Sequence, residues 1–166
     1  VCKSIAAETK QYREIILLET NKFDCYTSLF IGIGNLQRRI ELWGELHERG
    51  IFPVLSGGVC LGTAKAGTLI GRQAIVQVGT VIGVNCIINT GAIVEHDCRI
   101  GDQTIISPGA MVMGDCNIGQ RVQIGPGAVI CRGIWICDDT IIGAGAVVTK
   151  DITEKGTYYG VPARAV

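Results

Sequence analysis

From residue 70 to residue 148 an aliphatic side chain returns every six positions. The series is Ile70, Val76, Ile82, Ile88, Val94, Ile100, Ile106, Val112, Ile118, Ile124, Ile130, Ile136, Ile142 and Val148, without a break. Four residues after each stands a residue that is usually small: Ala74, Thr80, Cys86, Ala92, Cys98, Thr104, Ala110, Cys116, Val122, Ala128, Ile134, Thr140, Ala146, Ile152. Glycine often follows the aliphatic directly, as at Gly71, Gly83, Gly101, Gly119, Gly125 and Gly143. A period of six is neither the 3.6 of a helix nor the 2 of an ordinary strand. It predicts short strands joined by tight corners, with one branched aliphatic pointing inward on each side. Three sides close a triangular coil, and coils stack as parallel strands about 4.8 Å apart. Fourteen hexads make between four and five such coils.

The ruler fails before Ile70, and the first 56 residues read differently. Residues 1–12 look helical; 13–19 (REIILLE) is a short apolar run expected to be a buried parallel strand; 28–34 (SLFIGIG) is another. Residues 35–50 form an amphipathic helix with Leu36, Ile40, Trp43 and Leu46 on one stripe, Asn35 as N-cap and Gly50 as stop. IFPVL, 51–55, reads as a third strand. Strand, helix, strand makes a small α/β unit over 1–56, followed by a β-helix over 57–166. GIGN at 32–35 lies where a strand feeds a helix N-terminus. Gly34 and Asn35 there fit either a plain turn or contact with an anionic ligand.

Composition narrows the function. Lys+Arg and Asp+Glu are 15 each, which argues against nucleic acid or an anionic membrane surface as partner. No run of about 18 apolar residues predicts membrane insertion. The eight cysteines come without a secretory signal and read as reduced thiols in a cytoplasm. Cys86, Cys98 and Cys116 fall on the small position and should be buried hydrophobes. No CxxC pair occurs, so no metal site is expected. The chain opens on Val1 rather than Met, which reads as a fragment.

The chain has two histidines. His47 falls late in the predicted helix and reads as a surface residue. His96 stands between Glu95 and Asp97 at a corner of the β-helix, where its side chain should point outward. It fits an exposed surface residue. It also fits a general base whose ring is held by a neighbouring carboxylate.

The blocks INTGAIVEHDCRIGD, SPGAMVMGDCNIG, IGPGAVI, IIGAGAVVTKDI and YYGVPARAV resemble the NeuD/PglD group of hexapeptide-repeat sugar acetyltransferases. The resemblance runs over 13–166 and is strongest from Ile87 to Ala163. It implies a left-handed parallel β-helix, a homotrimer with sites between neighbouring copies, and acetyl transfer from acetyl-CoA to an amino sugar or sialic acid, often nucleotide-activated. It further implies His96 as base and Asp97, with Glu95 as rival, as the carboxylate that orients it. Gly114 matches the oxyanion donor, and Pro126 and Ala144 match positions along the CoA arm. The NTGA segment places Asn89 on the substrate side. Ile105 occupies the position where relatives carry a second histidine near the acetyl group. The family also implies a strand and Gly-rich turn ahead of residue 1, so the N-terminal unit reads as truncated. That gap and Ile105 favour a competing reading, a non-catalytic scaffold or sugar-binding module. A metal-dependent β-helix hydratase would need three histidine ligands and is excluded by a count of two.

Overall fold

The computed structural model describes residues 15–18, 28–31, 36–48, 55–56 and 58–166. The predicted helix over 1–12, residues Gly34 and Asn35, and most of IFPVL lie outside the described residues.

The N-terminal part contains β1 (Ile15–Leu18), β2 (Ser28–Ile31) and α1 (Leu36–Glu48). The first two strands pair with each other antiparallel, Ile15 opposite Ile31 and Leu18 opposite Ser28, not in the parallel arrangement expected. An apolar run carries no information about strand direction, which is set by the connection. Helix α1 lies where the apolar stripe placed it. Its Trp43 is buried, and the indole ring rests on Gly67, where no side chain could be accommodated.

From Leu55 the chain runs as two-residue rungs: β3 (Leu55–Ser56), β4 (Val59–Cys60), β5 (Thr63–Ala64), β6 (Leu69–Ile70), β7 (Ile75–Val76), β8 (Val81–Ile82), β9 (Ile87–Ile88), β10 (Ile93–Val94), β11 (Arg99–Ile100), β12 (Ile105–Ile106), β13 (Met111–Val112), β14 (Asn117–Ile118), β15 (Gln123–Ile124), β16 (Val129–Ile130), β17 (Trp135–Ile136), β18 (Ile141–Ile142) and β19 (Val147–Val148). β20 (Thr157–Tyr159) and β21 (Arg164–Ala165) close the chain. The rungs stack into three parallel sheets, the faces of a prism. Face one is β4-β7-β10-β13-β16-β19, face two is β5-β8-β11-β14-β17, and face three runs from β3 through β6, β9, β12, β15 and β18 to β20, with β21 added antiparallel at its end.

Face one has six rungs, so the stack is taller than the four to five coils the ruler gave. The extra coil begins at Leu55, which pairs with Leu69, while Val59 pairs with Ile75. Those spacings of fourteen and sixteen fall short of eighteen, which is why the repeat was not visible there. Leu55, the last residue of the expected third strand, belongs to the first rung of the prism.

Within each rung from β6 to β19 the second residue points inward. The six-residue aliphatics from Ile70 to Val148 are at most 3% exposed, and the small-position residues at most 7%. Each fully buried Ile or Val contributes about 1.5–3 kcal/mol. The small position also carries polar work. Thr80 Oγ1 donates to the Glu95 carbonyl (2.6 Å) and accepts from the Cys98 amide (3.1 Å), fastening one coil to the next. Cys86, Cys98 and Cys116 make the same donation to Gly101, Met113 and Cys131. The adjacent Cys116 thiol and burial push the Cys98 thiol far up, so it stays a neutral donor.

The corners repeat as strictly as the column. Fourteen residues at intervals of six, from Gly67 to Gly145, adopt left-handed backbone with φ between 53° and 77°. Seven are glycine and seven are Gln73, Asn85, Asp97, Gln103, Asp115, Arg121 and Asp139. Four of the seven are Asn or Asp, the residues with a side chain that most readily adopt this conformation.

Candidate active site

The candidate site lies on the edge between faces one and two. The register of face one, Ile75 beside Ile93 beside Met111 beside Val129, stacks two columns along this edge. One column is Val78, His96, Gly114 and Arg132. The other is Gly79, Asp97, Asp115 and Gly133. The Asp97 amide donates to the Val78 carbonyl and the Asp115 amide to the His96 carbonyl, which fixes both backbones before any side chain is placed.

His96 Nδ1 lies 2.9 Å from Asp97 Oδ2. The side chains are 44% and 61% exposed, so the pair is open to solvent and to a substrate. With Asp97 ionised, the shared proton belongs on Nδ1, leaving Nε2 as the free base nitrogen. The ring leans toward the coil above. A Cβ on Gly114 would lie 2.7 Å from Nε2 and 2.8 Å from Cε1, so the ring packs there because Gly114 is bare. The coil-to-coil ladder uses the amides of Met113 and Asp115 and passes over that of Gly114. Glu95 is partly buried, and its carbonyl is taken by Thr80; the carboxylate on Nδ1 is that of Asp97.

A second carboxylate closes on the ring. Asp115, Asp97 and His96 each offer a ligand-type atom within 4.8 Å of the others. Asp115 Oδ2 is already held by Arg132, with Nε at 2.9 Å and Nη2 at 2.6 Å. Asp115 and Arg132 were missed in the sequence, although adding eighteen to Asp97 and to Gly114 reaches them.

The other expected site residues lie elsewhere on the prism. Pro126 and Ala144 are exposed on the edge between faces three and one, stacked as their spacing required: the Gly145 amide donates to the Pro126 carbonyl at 2.9 Å. Asn89 is partly buried on the same edge and accepts from the Thr90 amide (2.7 Å). Ile105 points outward from β12 on face three yet is buried. Within one chain, face one separates this edge from His96, and face three is joined to the His96 edge at neither side. Face two and its edge with face three form an open groove of about 400 Å³ with Lys65, Arg99, Asn117 and Trp135 among its walls; neither His96 nor Asp97 lines it. Both acids that line it are occupied: Asp102 accepts from the Val84 amide (2.9 Å) and Asp138 from the Gln120 amide (2.8 Å).

Comparison with known proteins agrees with this architecture. Residues 115–150 match the family described as bacterial transferase hexapeptide (six repeats). No curated protein sequence matches the chain. Among solved structures, the acetyltransferase domain of PglB from Neisseria gonorrhoeae is 31% identical, with a TM-score of 0.73 over 82% of this chain and 69% of that one. The same domain in complex with acetyl coenzyme A covers 98% of this chain and 91% of its own, at 26% identity and a TM-score of 0.75. A point variant of perosamine N-acetyltransferase from Caulobacter crescentus, in complex with CoA and GDP-perosamine, is 30% identical, with a TM-score of 0.77 over 82% of this chain and 68% of its own. With a prism built on the hexapeptide ruler and relatives that span most of both chains, this chain is an acyl-transfer enzyme and belongs to the hexapeptide-repeat acetyltransferases of the left-handed β-helix superfamily.

Proposed function

We propose that the chain transfers the acetyl group of acetyl-CoA to the amino or hydroxyl group of a sugar, an amino sugar carried on a nucleotide or a sialic acid. The observation that carries this reading is the His96–Asp97 pair on an exposed edge, with the ring set against Gly114. His96 Nε2 takes the proton from the acceptor as its nitrogen or oxygen attacks the thioester carbonyl. Asp97 stabilises the imidazolium that forms. The Gly114 amide, unused by the ladder, donates to the oxyanion of the tetrahedral intermediate. Collapse expels the CoA thiolate, which takes up the proton that His96 holds. This route uses no metal.

The site is completed by other copies. Face one presents an outward ladder of Ile75, Ile93, Met111, Val129 and Val147, partly exposed and without a charge. Such a surface fits a self-associating protein, here a homotrimer. A neighbouring copy brings its Ile105 face and its Pro126–Ala144 edge toward His96, which no single chain does. The groove of face two, with Arg99 and Lys65, suits the phosphates of the bound substrates. No described helix is long and apolar enough to cross a membrane, and cytoplasmic action suits the reduced thiols.

The test is release of free CoA thiol from acetyl-CoA with a panel of amino sugars, nucleotide amino sugars and sialic acid. The wild type should turn over at least one acceptor, and His96→Ala should lose about 100-fold or more in kcat. Equal rates for both proteins with every acceptor would remove His96 from the mechanism.

A further inference from the structure

Seven glycines occupy left-handed corners, and five of them (Gly91, Gly109, Gly127, Gly133 and Gly145) have open space where a side chain would go. Seven other corners with the same backbone carry side chains, so the conformation alone does not demand glycine. Gly67 and Gly79 are the crowded two. At Gly67 the space is filled by Trp43. At Gly79 it is filled by the carboxylate of Asp97, one coil above: a Cβ there would fall inside the contact distance of Oδ1 and 3.1 Å from Cγ. The same carboxylate turns Oδ2 to His96 Nδ1. Its two oxygens therefore have two seats, the imidazole and the bare α-carbon of Gly79.

We infer that Gly79 is a positioning residue for acetyl transfer: its missing side chain is the seat that holds the Asp97 carboxylate in line with His96. The inference rests on the reading of His96 as base. A methyl group at residue 79 must push Asp97 outward, because the opposite side of the clash is backbone of the prism. The carboxylate then leaves Nδ1, and the ring is free to change tautomer and orientation.

The experiment is a cycle of Gly79→Ala, Asp97→Ala and the double variant, with Gly133→Ala as control for left-handed strain. Gly133 lies on the same edge at φ 73° with nothing within 4 Å of a Cβ. Gly79→Ala and Asp97→Ala should each lower kcat by about tenfold or more, with KM for acetyl-CoA little changed. The double variant should be no worse than Asp97→Ala alone. Nitrogen NMR gives the readout that a merely structural role would not move. The His96 ring should carry its proton on Nδ1 in the wild type and lose that signature in Gly79→Ala as in Asp97→Ala. Losses that multiply in the double variant, or a wild-type ring signature in Gly79→Ala, would overturn the inference, as would a melting loss in Gly133→Ala accompanied by the same ring change. If His96→Ala keeps full turnover, the base reading fails instead, and the ring signature still decides what Gly79 does.

Discussion

Arg121 grips Asp139 of the next coil with two parallel bonds, Nε to Oδ1 at 2.6 Å and Nη2 to Oδ2 at 2.8 Å. Both residues sit at left-handed corners, eighteen residues apart on the edge between faces two and three. The Arg121 guanidinium holds the Asp139 carboxyl below its ordinary value, and Asp139 in turn raises Arg121.

A carboxyl whose value is lowered on folding adds stability that is fully present above its unfolded value and is lost as pH falls through the folded one. Asp139→Asn should therefore destabilise the protein at neutral pH and make no difference once the pH is below the folded value. Both side chains are partly exposed, so the effect should be about 0.2–1 kcal/mol and should shrink with added salt. Urea melts of the two proteins across the acid range measure it; a gap that persists at the acid end would contradict the assignment to this pair.

Thr104 is fully buried, with Oγ1 donating to the Gly119 carbonyl (2.9 Å) and accepting from the Val122 amide (3.2 Å). Thr104→Val keeps the shape and removes both bonds, at a cost of about 1–3 kcal/mol. Thr104→Cys should cost less, since cysteine already makes this donation at three neighbouring corners. Thermal unfolding should rank wild type above Thr104→Cys above Thr104→Val.

Gly114 is outside the left-handed series, so alanine there strains no backbone. Its methyl group would meet the His96 ring within 3 Å. Gly114→Ala should leave unfolding within about 0.5 kcal/mol of wild type and lower kcat by about 100-fold. A stable variant with unchanged kcat would mean that the ring's seat against Gly114 plays no part in turnover.

Met111 lies in the middle of the uncharged face one and is 37% exposed. If the chain forms the proposed trimer through this face, Met111→Lys should convert it into lighter species by light scattering while leaving the circular dichroism of the β-helix in place. A particle mass equal to wild type would move the interface to another face.

The prism was legible in the sequence because its aliphatic ruler repeats without interruption from Ile70 and the position four residues on is usually small. The coil before it was not, because Leu55 and Val59 pair at shorter spacings that break the count. The antiparallel order of β1 and β2 was hidden for another reason: Ile15–Leu18 and Ser28–Ile31 are apolar whichever way they run. At the site, His96 and Asp97 could be read as a pair of neighbours in the chain. The relations of Asp97 to Gly79 and of His96 to Gly114 could be placed one coil apart by arithmetic. The direction in which each side chain leans depends on where the adjoining coil leaves room, and that is a property of packing.

The left-handed corners return at fixed intervals, fourteen of them from Gly67 to Gly145. A single residue inserted into a rung would put every later corner out of phase, sending aliphatics to the surface and polar residues to the axis. Removing one whole circuit would leave the phase intact, since each circuit touches only those on either side. The length of this part of the molecule is therefore quantised: evolution or an engineer can lengthen or shorten it only by complete circuits, or else must confine the change to a corner that loops outward.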